Sequence, residues 1–323
     1  MQALAQRWLL AVAVACLPVS AQAQSFPTGP VSVVVPLAPG DAADIAARAM
    51  GEELSRLLNV PVLLVNRPGA GGAIGAQSVV QAKKDGQTIL LAQNSALTFR
   101  VVLDPQSASY DALRDLVPLG IASRTPSVLV VRSGGEASYR SFAEFIDYAR
   151  KNPGRVRIGH PGAGSVGDFC VQLINALTGA ELAPIPYTGA APAVAALRGG
   201  HIEGVVLALG ALSVHIKAGT FRGLVASNPV PDFADIPTMR DLGYPEDLFG
   251  IWLGFLAPAG IPDEARKVLV GAIEQTVKAP ALKARLAPLG ILQSYAGPDQ
   301  MASEVREEFK RVSELAKRTG LVK

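Results

Sequence analysis

Short runs of apolar, β-branched residues alternate along this chain with stretches whose apolar positions return every three to four residues. The first run, Val31 to Val35, reads as a buried strand and is closed by a loop holding Pro36, Pro39 and Gly40. From Asp41 the period becomes helical, with Ile45, Ala46, Ala49, Leu54, Leu57 and Leu58 on one stripe. Asp41 suits the helix cap, and Asp44 suits the positively polarised first turn. A strand, a glycine loop and a helix start together present backbone N–H groups to a ligand.

The unit recurs. Residues 61–65 predict a strand, followed by the glycine-rich stretch 66–76 leading into a helix to about residue 83. Residues 88–92 predict a third strand ending in the polar tip Gln93-Asn94-Ser95, which completes a βαβαβ lobe with a parallel sheet. Residues 127–131 form a strand leading away from it, and a helix follows over 142–150. The opening pattern then returns as strand 156–158, loop 159–164 and a helix from Ser165. Strands at 183–186, 202–207 and 221–226 alternate with helices at 190–197 and 212–217 to give a second α/β lobe. Residues 229–249 are proline-rich and irregular, and 252–257 read as a strand. Helices are expected at 263–278, 280–287 and 298–319, the last amphipathic, dense in charge and packed across a lobe.

Length and charge narrow the class. A chain of 323 residues, 49% hydrophobic and 18% charged, suits two lobes, because single cores stop growing near ~250–300 residues. The net charge of +3 is mild, and no Lys/Arg cluster interleaved with aromatics marks a nucleic-acid partner. Residues 1–23 read as a signal peptide: Arg7, an apolar core from Leu9 to Leu17, and a small-residue site that predicts cleavage after Ala23 and export. Cys16 offers a rival reading as a lipid anchor, against which Ala13 stands where leucine is wanted. Only Cys170 remains after cleavage, so no intrachain disulfide is expected. No later run is long enough to span a bilayer.

Three motifs invite chemistry. Gly162, Gly164 and Gly167 have dinucleotide-fingerprint spacing, but Glu181 precedes the next strand instead of ending it, so the ribose would lack its acid. Ala163-Gly164-Ser165-Val166-Gly167 resembles a nucleophile elbow, which would make the chain a secreted hydrolase using Ser165. That reading needs His201 or His215 as base and finds no upstream oxyanion loop; a serine capping a helix is the simpler account. The glycines at 69–75 lack the Walker lysine, and fit a tight turn or a ligand contact equally. The histidines, among them His160 in the second glycine loop, where it can hydrogen-bond an acid, lack metal-site spacing. Neither metal nor cofactor is expected.

Taken together, residues 33–44 (VVVPLAPGDAAD), 65–76 (VNRPGAGGAIGA), 159–169 (GHPGAGSVGDF), 185–203 (IPYTGAAPAVAALRGGHIE), 215–227, 235–239 and 252–262 resemble the substrate-binding proteins of tripartite tricarboxylate transporters, the Bug family. The resemblance spans the mature chain in order. It implies a two-lobed α/β periplasmic binding protein of type II-like build, each lobe a mainly parallel sheet flanked by helices, closing like a flytrap on a small carboxylate. Residues 24–124 with about 228–323 would form one lobe and about 125–227 the other. The implied ligand contacts are Ala38, Pro39, Gly40, Asp41 and Asp44, then Asn94 and Ser95, then His160, Gly162, Ala163, Gly164 and Ser165, and finally Tyr187, Thr188 and Gly189. The implied partners are a small organic acid and membrane transporter subunits, with the receptor a monomer and no enzyme; a receptor serving a membrane signalling protein is the alternative. The chain departs from the family where Asp41 follows Gly40 in place of a second glycine, where His160 replaces a small polar residue, and where Asp168 stands at a common histidine. A negative charge at residue 41 points to acids that also carry an amine or amide.

Overall fold

The computed structural model describes residues 26–106, 108–134, 139–289 and 291–322; the signal peptide, its cleavage after Ala23 and Cys16 lie outside them. Chain order is β1 (Val31–Val35), α1 (Ala42–Leu58), β2 (Val62–Asn66), α2 (Ala73–Val80) and β3 (Thr88–Gln93). A π-helical turn, Ser95–Phe99, then runs into α3 (Arg100–Leu103), followed by β4 (Leu116–Thr125) and β5 (Ser127–Arg132). Next come α4 (Phe142–Lys151), β6 (Arg157–His160), α5 (Val166–Thr178), β7 (Ala183–Pro186), α6 (Ala190–Arg198), β8 (Gly204–Ala208), α7 (Leu209–Lys217) and β9 (Phe221–Ala226). The chain ends with β10 (Ile251–Pro258), α8 (Asp263–Lys278), α9 (Pro280–Leu286), β11 (Leu292–Ala296) and α10 (Pro298–Arg318).

These strands build two sheets, in the orders β11-β4-β10-β3-β1-β2 and β7-β6-β8-β5-β9. Each carries helices on both faces, because alternate residues of the central strands enter different cores. In β1, Val31, Val33 and Val35 pack on one side and Val34 on the other. In β5, Leu129 and Val131 oppose Val128 and Val130. The sheets are mixed, not mainly parallel. Only β2-β1-β3 and β7-β6-β8 run parallel, while β4, β5, β9, β10 and β11 pair antiparallel. The reason is connectivity. The parallel triplets are joined by crossover helices, whereas β4 and β5, and β9 and β10, flank the two places where the chain passes from one sheet to the other, and these strands pair antiparallel with their neighbours.

Two strands carried no clear signal. β4 holds Pro118 and Gly120, yet it is a central strand, and its pairing with β10 breaks register between these two residues and again beside Ala122. β11 is a short edge strand. His160, expected in a loop, ends β6.

The chain passes between the sheets at Pro126 and again over residues 227–250, and α10 ties them a third time. Met301 and Val305 sink into a core of the six-stranded side, while Val312, Leu315 and Ala316 enter that of the five-stranded side. The terminal helix therefore bridges both cores instead of lying across one. Phe99, Phe169 and Phe249, one from each side and one from the crossing, meet edge-to-face with centroids 5.1–5.4 Å apart.

Candidate functional site

All six parallel strands end toward one cavity of about 600 Å³, and the loop or turn after each contributes to its wall. From the six-stranded side come residues 36–38 and 41, 68–72, 93 and 95; from the other come 161–163 and 165, 187–190 and the end of β8 at 207, 208 and 211. This is the expected place for a ligand in open α/β sheets. Five of the loops lead into helices, so the starts of α1, α2, α5, α6 and α7 surround one space. A helix start carries roughly +0.5 of a charge; here the first N–H of α2 already bonds the Ala70 carbonyl and that of α7 the Pro126 carbonyl. Asp41 and Ser165 cap two of them, whereas Gly72, Gly189 and Ala208, at the starts of α2, α6 and α7, give no side-chain cap.

The two capped starts are built alike. Asp41 accepts from Ala43 N at 3.0 Å, and three residues on Asp44 accepts from Gly40 N at 2.9 Å. Ser165 accepts from Asp168 N at 3.1 Å, and Asp168 in turn accepts from Gly164 N at 2.8 Å. Gly40 (φ 84°) and Gly164 (φ 73°) stand in left-handed conformations at the same step of each turn, which explains glycine there. The jaws touch. Arg100 Nη1 donates to the Ala163 carbonyl at 3.1 Å while Nη2 pairs with Asp104 at 2.6 Å. A Cβ on Gly164 would lie 2.5 Å from Arg100 Cδ, so the arginine stem needs a glycine beneath it.

Two charged side chains among the described residues line the cavity, Asp41 and Arg100. Burial pushes the Asp41 carboxyl above the ordinary value; the Ala43 N–H opposes this and the Asp44 charge adds to it. Among the described residues no cation pairs with it. Asp44 behaves in the opposite way. Burial works against its charge, but Arg48, the Gly40 N–H and Asn66 hold its carboxyl below the ordinary value.

Of the residues expected from sequence, Ala38, Asp41, Ser95, Gly162, Ala163, Ser165, Tyr187, Thr188 and Gly189 line the cavity. Pro39, Gly40, Asp44, Asn94, His160 and Gly164 lie outside the lining, each for a structural reason. Pro39 and Gly40 form the bend of the loop, and Asp44, 2% exposed, braces it through Arg48 and Asn66. Gly164 is the seat for Arg100. His160 is buried with Nδ1 3.0 Å from the Gly162 carbonyl oxygen, and burial holds its imidazole below the ordinary value, with Asp168 opposing. Asn94 turns inward, its amide donating to Glu308 Oε1 at 2.8 Å and to the Gly250 carbonyl at 3.1 Å. The sequence reading missed Gln93 as a wall residue, Arg100, and the β8 end with Leu207, Ala208 and Ala211. Applying the strand-end rule to β8 would have found the last group, which no polar residue or glycine pair marks.

Ser165 Oγ is taken up as the acceptor of a helix cap, and among the described residues no histidine hydrogen-bonds it. His215 instead stacks on Phe221, and His201 lies exposed beside Gly199. Glu181 lies before β7, so the glycine spacing at 162–167 has no ribose acid.

Two α/β lobes joined by crossing segments, with strand-end loops from both facing one cavity, define a two-lobed solute-binding receptor. Residues 46–321 match the model of the tripartite tricarboxylate transporter family receptor (TctC), and the chain belongs to that family. It is 32% identical to protein BugT of Bordetella pertussis over 96% of this chain and 95% of that one. The periplasmic binding protein BugD superposes with a TM-score of 0.83 at 28% identity, covering 92% of this chain and 99% of BugD. MatC from Rhodopseudomonas palustris with bound malate superposes with a TM-score of 0.82 at 28% identity, over 90% and 99% of the two chains.

Proposed function

We propose that this chain is a periplasmic receptor that captures a small organic acid between its lobes and delivers it to a tripartite tricarboxylate-type transporter. The observation that carries this reading is the convergence of five helix starts on one cavity, three of them without a side-chain cap. A carboxylate placed there meets polarised N–H groups in a partly desolvated space. Malate in MatC supports the same ligand class. Residues 24–124 and about 228–323 act as one jaw and about 125–227 as the other, swinging on the segments near 123–128 and 223–229. Ligand contact comes from Ala38, Asp41, Ser95, the loop 162–165 and the turn 187–189. Asp41, which has no cationic partner among the described residues, selects acids that also carry an amine or amide. The receptor acts as a monomer without catalysis, and residues 1–23 direct its export.

Ligand should bridge the jaws and compact the molecule, as in other periplasmic binding proteins. Small-angle scattering with a bound acid is expected to show a smaller radius of gyration, and an unchanged profile at saturation would count against a flytrap. Generic esters should be turned over by neither the protein nor Ser165→Ala; turnover lost with Ser165→Ala would make it a hydrolase.

A further inference from the structure

Behind the cleft, α10 sends Glu308 into a cluster of fully buried partners. Glu308 Oε1 accepts from Asn94 Nδ2 at 2.8 Å and from Trp252 Nε1 at 3.3 Å, and its Oε2 lies 2.8 Å from Thr98 Oγ1. Asn94 and Thr98 are completely buried and Trp252 is nearly so. These residues belong to the tip after β3 and to the crossing strand β10. The tip is a π-helical turn, a form concentrated at functional sites, and its first residue, Ser95, lines the cleft.

Proton counting bears on the state of this cluster. Thr98 Oγ1 also lies 2.9 Å from the Asn94 carbonyl oxygen. A hydroxyl carries one hydrogen, so it cannot donate both to that carbonyl and to an ionised Oε2. A proton on Oε2 resolves the conflict: Glu308 donates to Thr98, Thr98 donates to the Asn94 carbonyl, and Oε1 stays free to accept from Asn94 and Trp252. We infer that Glu308 is a positioning residue that, as the neutral acid, fastens the Asn94–Phe99 tip to the crossing and so holds Ser95 at the cleft wall.

No cation competes for it among the described residues. Arg124 on β4 is taken by Glu304 at 2.7 Å, Arg311 by Glu246 at 3.2 Å, Arg240 by Asp247 at 3.3 Å, and Arg100 on α3 by Asp104. Glu304 and Glu307 on the same helix, with Asp247, add negative charge to the cavity of about 650 Å³ at the rear of the crossing that Glu308 also lines. Burial pushes the Glu308 carboxyl above its ordinary value; the bonds from Asn94, Thr98 and Trp252 oppose this, and the Glu304 charge adds to it. Because the folded-state value is raised, the neutral form is favoured by folding. The contribution of Glu308 to stability is therefore fully present below the ordinary glutamate range and is lost as pH rises through the raised value.

What the tip does for capture rests on the function proposed above, but the test uses no ligand, so the two can fail separately. In the exported form, starting at Gln24, Trp252 is the only tryptophan and hydrogen-bonds Glu308 directly. Its fluorescence is expected to titrate in one step above the ordinary glutamate range, accompanied by a fall in melting temperature and faster hydrogen exchange at residues 94–99. Glu308→Gln, whose NH₂ replaces the acid proton toward Thr98, should abolish the step and keep slow exchange at every pH. Glu308→Ala should speed tip exchange at least about tenfold at every pH. Identical pH profiles for the wild type and Glu308→Gln, or tip exchange in Glu308→Gln as fast as in Glu308→Ala, would overturn the assignment.

Discussion

Asp41→Gly is expected to move ligand preference from amine- or amide-bearing acids toward plain dicarboxylates by at least about tenfold, ~1.4 kcal/mol. The residue lines the cleft with no cation beside it, and closure would strip water from a carboxylate to which the helix start gives the Ala43 N–H but no full charge. An ammonium or amide N–H on the ligand supplies the missing partner. Glycine is tolerated at an N-cap for a few tenths of a kcal/mol, so the change isolates the charge. Asp41→Asn keeps the cap while removing the charge, and should shift preference in the same direction. Because burial raises the Asp41 pKa, acidification neutralises it earlier than an ordinary aspartate, and affinity for amine-bearing acids should fall as pH drops through that raised value. Calorimetry of the wild type and both variants against matched amine-bearing and amine-free acids checks this. The same ranking in all three would reduce Asp41 to a helix cap.

Phe99→Ala is expected to cost about 3–5 kcal/mol of stability, the range for removing a buried phenylalanine. Phe99 follows β3 of the six-stranded sheet yet is fully buried in the core of the other side, edge-on to Phe169 of α5 and Phe249 of the crossing. Its loss empties the place where the two cores join, so the lobes should also lose cooperativity. Urea unfolding followed by circular dichroism would reveal a lower midpoint and a broadened or divided transition. A change below about 1 kcal/mol with one sharp transition would mean that the lobes are joined elsewhere.

The strand–loop–helix units were readable because their signals are local. Valine runs such as 31–35 mark strands, the glycines at 40 and 164 allow the left-handed step, and Asp41 and Ser165 cap the helices α1 and α5. Strand direction was not local. It depends on which strands carry the chain between the sheets, and β4, β5, β9 and β10, which flank the two crossings, pair antiparallel with their neighbours and make the sheets mixed. Side-chain orientation at the tip was equally hidden. Asn94 faces a glutamate 214 residues away and Asp44 an asparagine 22 residues away, so polar residues beside a cleft became bracing instead of wall. The β8 end went unnoticed for the opposite reason, since alanines and leucines present their backbone without any polar marker.

The central claim is that helix starts from both lobes hold a ligand carboxylate. Titration calorimetry of residues 24–323 with a panel of small organic acids, malate among them, each beside its uncharged methyl amide, tests it most directly. The account predicts one-site binding of at least one acid, weakened at least about tenfold (~1.4 kcal/mol) when its carboxylate becomes an amide. Binding of the amides as tightly as of the acids, or no binding of any acid in the panel, would contradict it.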